Sequence, residues 1–295
     1  MRLADAHETW FHAATVRGRS PRPCCFCGEE IFPGSPRAQR QTQFAHYACA
    51  PGLGSPVYAP EAWLTPLFGA SSRIGGREEN EDRERVVASP SGRVLRLAVA
   101  DGMGGHAEGA QAAMAAVSVL DQRSPLVEVV RSAHAAAQQA SRGGTTLCIA
   151  EVRRTASVRA SGEGREVVFC QVGDSTASLV RLVRTKTGVG VEVVLQTEAQ
   201  GVGRRLLQCV GISNAGPPEP MITRTKAGRG QLVFVYSDGV NAAMTPEVLP
   251  SLLDRFVDRA SLVLEDLTGF ADAVTEAAAA HGSTDNATLV VLPVP

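Results

Sequence analysis

The sequence predicts an α+β domain in which helices pack on antiparallel sheets, preceded by a small segment of different character. Three observations lead there. Short apolar runs rich in β-branched residues recur after about residue 70, each bounded by Gly, Asp or Ser. Helical periodicity comes in consecutive segments, 107–121 followed directly by 124–141, with no strand between them. Before residue 70 the chain is rich in Pro and Gly and holds few periodic apolar stretches. Strict strand–helix alternation would indicate a parallel sheet, whereas strands joined to one another by short turns indicate antiparallel pairing.

The strands are expected at VLRLAVAD (94–101), TTLCIAEV (145–152), EVVFCQVGD (166–174), TASLVRLV (176–183), VEVVLQ (191–196), QLVFVYSD (231–238) and NATLVVLPV (286–294). Helices are expected over 107–121, 124–141, 246–257 and 268–282. The segments SGEGRE (161–166) and TKTGVG (185–190) read as hairpin loops. The length suits one domain of ordinary to large size with a small appendage, divided as 1–65 and 66–295.

Charge removes some function classes. With 29 Lys+Arg against 30 Asp+Glu, the net charge of -1 gives no global attraction to nucleic acid or to an anionic membrane. Lys186 and Lys226 are the only lysines, so arginine carries almost all the positive charge. No apolar run is long enough to span a bilayer. The N-terminus has acidic residues and histidine where a signal peptide would be unbroken and apolar. The expected location is therefore the cytoplasm. The seven cysteines agree, because they are not spaced as a disulfide framework. Cys148 and Cys170 fall in strand runs, where buried thiols are ordinary.

The aspartates carry the functional signal. Asp101, Asp174 and Asp238 each end an apolar strand and adjoin a glycine, Asp285 precedes the last strand, and Glu81-Asp82 sits in the polar stretch REENEDRER. Any one of these has a bland reading: Asp-Gly after a strand is a turn signal, and a charge run is a solvated face. Recurrence changes the reading. Carboxylates at the ends of several strands can converge on one sheet edge, where they repel unless cations neutralise them. Oxygen ligands without accompanying His or Cys favour Mg²⁺ or Mn²⁺ over Zn²⁺.

The ordered set GGREENEDR, AVADGMGGHAEG, GGTTLCIA, CQVGDS, VYSDGV and STDNATLVV resembles the type 2C, metal-dependent protein phosphatase family in its bacterial form, from about residue 71 to the C-terminus. The resemblance implies two packed antiparallel sheets flanked by helices, an α-β-β-α sandwich. It implies hydrolysis of phosphomonoesters on Ser/Thr of proteins by a water that two divalent ions activate. Asp101 would bridge the two ions and the Gly102 carbonyl would bind one of them. Asp238 and Asp285 would complete the other shell, Asp82 and less directly Glu81 would hold ligand waters, and Arg77 would grip the substrate phosphate. Asp174 matches the ligand of a third, weaker ion shared with Asp238. The cofactors implied are two or three Mn²⁺ or Mg²⁺, and the partner implied is a phosphoprotein, a Ser/Thr kinase or its targets.

Two further stretches bear on this chemistry. Met103 stands where some relatives carry a histidine, which leaves a metal-bound water as the favoured proton donor to the leaving group, with His106, readable as a surface or helix-start histidine, as the other candidate. Gly143, Gly144, Thr145 and Thr146 match the family's GGTT, with a structural part: close backbone approach at a strand start. One departure concerns substrate preference. Where relatives carry a longer helical segment beside the active site, only TEAQGVGRR stands between 196 and 206.

The N-terminal segment has its own pattern. Cys24-x-x-Cys27 and His46-x-x-Cys49 form two ligand pairs about eighteen residues apart, suited to one tetrahedral structural Zn²⁺ and resembling half of a LIM-type or treble-clef finger. Cys25 is a spare whose pairing with Cys27 would give a tighter bite. Such a site is closed and folds a stretch too small to build much core. The expected use is docking a protein partner or stabilising the chain. Nucleic acid is not favoured, since Arg17, Arg19, Arg22, Arg37 and Arg40 are sparse.

Overall fold

The computed structural model describes residues 68–89, 94–104, 107–121, 123–154, 165–186, 188–202, 205–212, 216–228 and 230–294, with short strands of the N-terminal part. Contacts divide the chain into Met1–Leu67 with Ala88–Leu95, and Phe68–Val87 with Arg96–Pro295. In the first unit, Phe11–Ala13, Arg37–Arg40 and Gln43–His46 form a three-stranded antiparallel sheet, and Arg22–Pro23 pairs with Glu30–Ile31.

The second unit is built on ten principal strands: β1 (Gly69–Arg73), β2 (Arg83–Ala88), β3 (Val94–Ala100), β4 (Leu147–Arg154), β5 (Arg165–Val172), β6 (Thr176–Arg184), β7 (Val189–Gln196), β8 (Met221–Ala227), β9 (Gln231–Tyr236) and β10 (Ala287–Pro293). They form two five-stranded sheets, one ordered β8-β5-β4-β3-β2 and the other β7-β6-β9-β10-β1. Every pair in the second sheet is antiparallel, as are β4–β5 and β5–β8 in the first. All seven strands expected from the sequence are present. The three added ones, β1, β2 and β8, lie at sheet edges and are mostly polar and half-exposed. Edge strands face water, so they lack the apolar run by which a strand is read.

Four helices cover the sheets: α1 (Ala107–Ser118), α2 (Leu126–Ala140), α3 (Leu249–Phe256) and α4 (Leu267–Ala280). Helices α1 and α2 bury Ala112, Ala113, Ala116, Val129, Val130 and Ala133 against Ala98, Ala100, Ile149 and Val168 of the first sheet. Helices α3 and α4 bury Leu252, Leu253, Phe270 and Val274 against Leu232, Phe234, Leu289 and Val291 of the second. With β4 lying against β6 and β9, the alternate residues Ala150, Phe169, Leu179, Val233 and Val290 fill the space between the sheets. The order of layers is helix, sheet, sheet, helix. Among the described residues no helix is long and apolar enough to cross a membrane.

Candidate active site

Each aspartate of the sequence pattern is held by the end of a strand. Asp101 follows β3, Asp174 sits in the turn between β5 and β6, and Asp238 opens a 3-10 turn (Asp238–Ala243) after β9. Asp82 precedes β2 and Asp285 precedes β10. Facing sheets bring these ends to one edge. Asp101, Asp174 and Asp238, all half-buried, each offer a carboxylate oxygen, and the three oxygens lie within 4.8 Å of one another.

Carboxylates this close, with little water between them, resist ionisation. Burial first, then the charges of Asp174 and Asp285, pushes Asp238 up to about 6. Burial first, then Asp82, Asp238, Asp174 and Asp285, holds Asp101 well above the usual carboxylate range. Asp82 is likewise pushed up to about 6, mainly by burial, although hydrogen bonds from Ser237 and Thr288 oppose the rise. Asp174 is raised by burial and by Asp285. Asp82 Oδ1 and Asp238 Oδ1 are buried and accept no hydrogen bond. Orphaned oxygens amid mutually repelling carboxylates are the condition that hard divalent cations relieve, and the all-oxygen donor set fits Mg²⁺ or Mn²⁺.

The supports of the cluster come partly from the GGTT segment and partly from residues with no pattern of their own. Asp101 is bracketed by its backbone: its N–H donates to Thr146 Oγ1 (2.9 Å), while Thr146 N–H and Thr145 Oγ1 both donate to its carbonyl (2.9 Å each). This is the structural part expected of GGTT. Ser237 Oγ donates to Asp82 Oδ2 at 2.7 Å and accepts from Thr288 N at 3.0 Å. Asn286 Oδ1 accepts from Glu81 N at 2.9 Å, and its Nδ2 donates to the carbonyls of Ile74 and Glu79, so it ties down the loop before Asp82. The Asp174 turn needs Gly173 at φ +96° and is pinned by Gln200, whose Oε1 accepts from Gly173 N and whose N–H donates to Gly173 O, both at 2.9 Å. Ser237, Asn286 and Thr288 lie inside the quoted motifs, but nothing in the sequence gives them or Gln200 a role. Lone Ser, Thr, Asn or Gln residues carry no signal until their neighbours are known.

Asp285 is placed differently from the trio. Its Oδ2 accepts from Arg77 at 2.6 Å and its Oδ1 from Asn286 N at 2.8 Å. Arg77 is thereby held beside the cluster with its side chain 58% exposed. Glu81 turns its carboxylate toward α1: a Cβ on Gly109 would lie 1.8 Å from Glu81 Oε2, and one on Gly102 would lie 2.4 Å from Gly109 O. The Gly102 backbone is therefore clamped between Glu81 and the first turn of α1. The short segment after β7 closes as a two-residue ribbon, Gly201–Val202 with Arg205–Leu206, rooted on Gln200 through Leu207 N–H to its carbonyl. His106, Cys24, Cys25, Cys27 and Cys49 lie outside the described residues, and His46 is described only as the end of the strand Gln43–His46.

The sequence profile described as Protein phosphatase 2C matches residues 69–280. The chain belongs to the protein phosphatase 2C family. Solved structures with this fold include a Streptococcus agalactiae serine/threonine phosphatase, 18% identical with a TM-score of 0.57, the match covering 77% of this chain and 99% of that one. The Mycobacterium tuberculosis serine/threonine phosphatase PstP/Ppp is 21% identical with a TM-score of 0.56, covering 77% and 97%. The PstP catalytic domain in complex with two manganese ions is 22% identical with a TM-score of 0.55, covering 77% and 96%. A search of curated protein sequences finds no significant match. Phosphatases of the 2C family use Mn²⁺ or Mg²⁺, and the acidic edge of this member offers oxygens of the kind those ions take.

Proposed function

We propose that the chain is a metal-dependent protein serine/threonine phosphatase that hydrolyses phosphomonoesters. The observation that carries this reading is the meeting of Asp101, Asp174 and Asp238 within 4.8 Å, from strand ends of both sheets, beside an exposed Arg77. Asp101 and Asp238, with Asp82, Asp285 and the Gly102 carbonyl, would hold two Mn²⁺ or Mg²⁺, and Asp174 with Asp238 a third. When bound, such ions supply a nucleophilic water near neutral pH and neutralise charge on the phosphoryl group. The protein's own part is positioning. Arg77, fixed by Asp285, offers a guanidinium fork to the phosphate oxygens. Thr145 and Thr146 fix Asp101, Ser237 fixes Asp82, and Gln200 fixes the turn of Asp174. No side chain is required as covalent nucleophile. The substrates would be cytoplasmic phosphoproteins, a Ser/Thr kinase or its targets. Residues 66–295 would form the phosphatase domain, and residues 1–65 a docking module folded by one Zn²⁺ on Cys24, Cys27, His46 and Cys49.

The test uses a phosphoserine peptide and an aryl phosphate, each with Mn²⁺ and then with EDTA. Turnover should need the metal and fall by roughly a thousandfold or more in Asp101→Asn and Asp238→Asn, the scale of losing a principal transition-state contact. Activity that survives either substitution refutes the assignment. No turnover in metal-loaded wild type would leave a scaffold or sensor built on a phosphatase fold. For the N-terminal module, bound zinc is measured in wild type and in the Cys24→Ser/Cys27→Ser protein, and equal zinc in both ends that reading.

A further inference from the structure

Next to the acidic edge lies a cavity that the proposed chemistry does not use. It has a volume of about 520 Å³ and is walled mainly by apolar surface, with Arg73, Ile74, Thr275, Ala279, Thr284 and Asp285 among its residues. Its size falls in the usual range for ligand sites, about 300–1,000 Å³. Asp285 forms part of its wall and also accepts from Arg77 at 2.6 Å, so the cavity and the proposed phosphate position share one residue.

Arg73 gives this cavity a chemical preference. Its residue is exposed, and its Nε donates to Thr275 Oγ1 at 3.1 Å. Thr275 is buried and anchored in turn: its hydroxyl lies 3.0 Å from Ser71 Oγ and donates to the Asp272 carbonyl at 3.0 Å. The stem of Arg73 is thus fixed by a buried network, while among the described residues no carboxylate pairs with its terminal nitrogens. A fixed guanidinium with its fork unspent is matched by a carboxylate. Beside it, Ile74 stands 44% exposed on the same wall, apolar surface that the stem of an incoming side chain could cover.

We propose that this cavity is a substrate subsite, taking an acidic side chain close to the phosphorylated residue of the phosphoprotein. Arg73 pairs with the carboxylate, and Ile74 and Ala279 cover the stem that carries it. The inference rests on the phosphatase reading, in that the phosphate is taken to sit at Arg77.

The test measures affinity without turnover, using the full chain, Mn²⁺ and fluorescent peptides that carry a non-hydrolysable phosphonate in place of phosphoserine. One peptide set places Glu, and a matched set Gln, at each of the three positions on either side. At one position the Glu peptide should bind about fivefold tighter than the Gln peptide, the upper end for an exposed ion pair. That ratio should fall to about one in Arg73→Gln. It should also fall in Ala279→Phe, which fills the cavity from an exposed helix position and spares the core. Equal binding of Glu and Gln peptides at all six positions overturns the proposal, as does a ratio untouched by Arg73→Gln. Turnover of aryl phosphate by the same wild-type preparation judges the catalytic reading separately.

Discussion

The two helix layers are made of different material. Where α1 and α2 meet the first sheet, the buried side chains are largely alanine, with Ala112, Ala113, Ala116, Ala133 and Ala137 all at 0–1% exposure. Where α3 and α4 meet the second, Leu249, Leu252, Leu253, Phe270 and Leu289 bring bulk in among Ala271, Val274 and Ala278. The difference follows from what each layer must do. Helix α1 has to bring its first turn onto the Gly102 backbone and the Glu81 carboxylate, and Gly109 leaves no room there even for a Cβ. Small side chains permit that approach. The α3/α4 layer reaches the acidic edge only through loops, Asp238 by its 3-10 turn and Asp285 by the segment before β10, so it is free to gain stability from bulk.

The comparison predicts opposite vulnerabilities. In the bulky layer, truncation is the damaging change. Phe270 lies 5.9 Å from Phe234 and 6.0 Å from Phe256 between ring centroids, and Phe270→Ala should cost about 3–5 kcal/mol. Chemical denaturation reads this directly, and a loss below about 1 kcal/mol would contradict the packing described. In the alanine layer, enlargement is the damaging change. Ala113→Leu should cost about 1–3 kcal/mol through overpacking. It should also weaken Mn²⁺ binding, because α1 is pushed off Gly102. A variant that loses stability yet binds Mn²⁺ like wild type would separate the helix from the site.

A smaller effect concerns the edge between the layers. In EDTA-treated protein, Asp82 and Asp238 keep their protons to about pH 6, against an ordinary 3.8. Between about pH 4 and 6 the folded state therefore holds protons that the unfolded chain has released, and stability falls as pH rises through that window. Thermal unfolding should occur a few degrees lower at pH 7.5 than at pH 5 without metal. Added Mn²⁺ should remove the difference by binding the folded state. An EDTA-treated protein more stable at pH 7.5 would contradict the mutual repulsion of these carboxylates.

Much of this was legible in the sequence, for physical reasons. Core strands such as β9 and β10 are buried along almost their whole length, so they read as unbroken apolar runs. Edge strands β1, β2 and β8 half-face water and leave no such run. Asp101, Asp174 and Asp238 are legible because each closes an apolar strand beside a glycine, a recurrence that bland turn chemistry explains singly but not together. Arg77 stood out through the family resemblance alone. Ser237 and Asn286 fall inside matched motifs without a role of their own, and Gln200 has no signal, since each works by touching a backbone or carboxylate far away in sequence. The cavity was hidden for the same reason: Arg73 and Thr275 meet across 202 positions.

The carboxylates of both sheets would together form one divalent-cation centre. Manganese binding to metal-stripped protein, counted by the loss of the free-ion electron paramagnetic resonance signal, tests it most directly. Wild type should take up at least about two ions per chain, and Asp101→Asn should lose one or more of them with its fold intact by circular dichroism. Wild type that leaves manganese free at millimolar concentration, or a variant that binds as many ions as wild type, would contradict it.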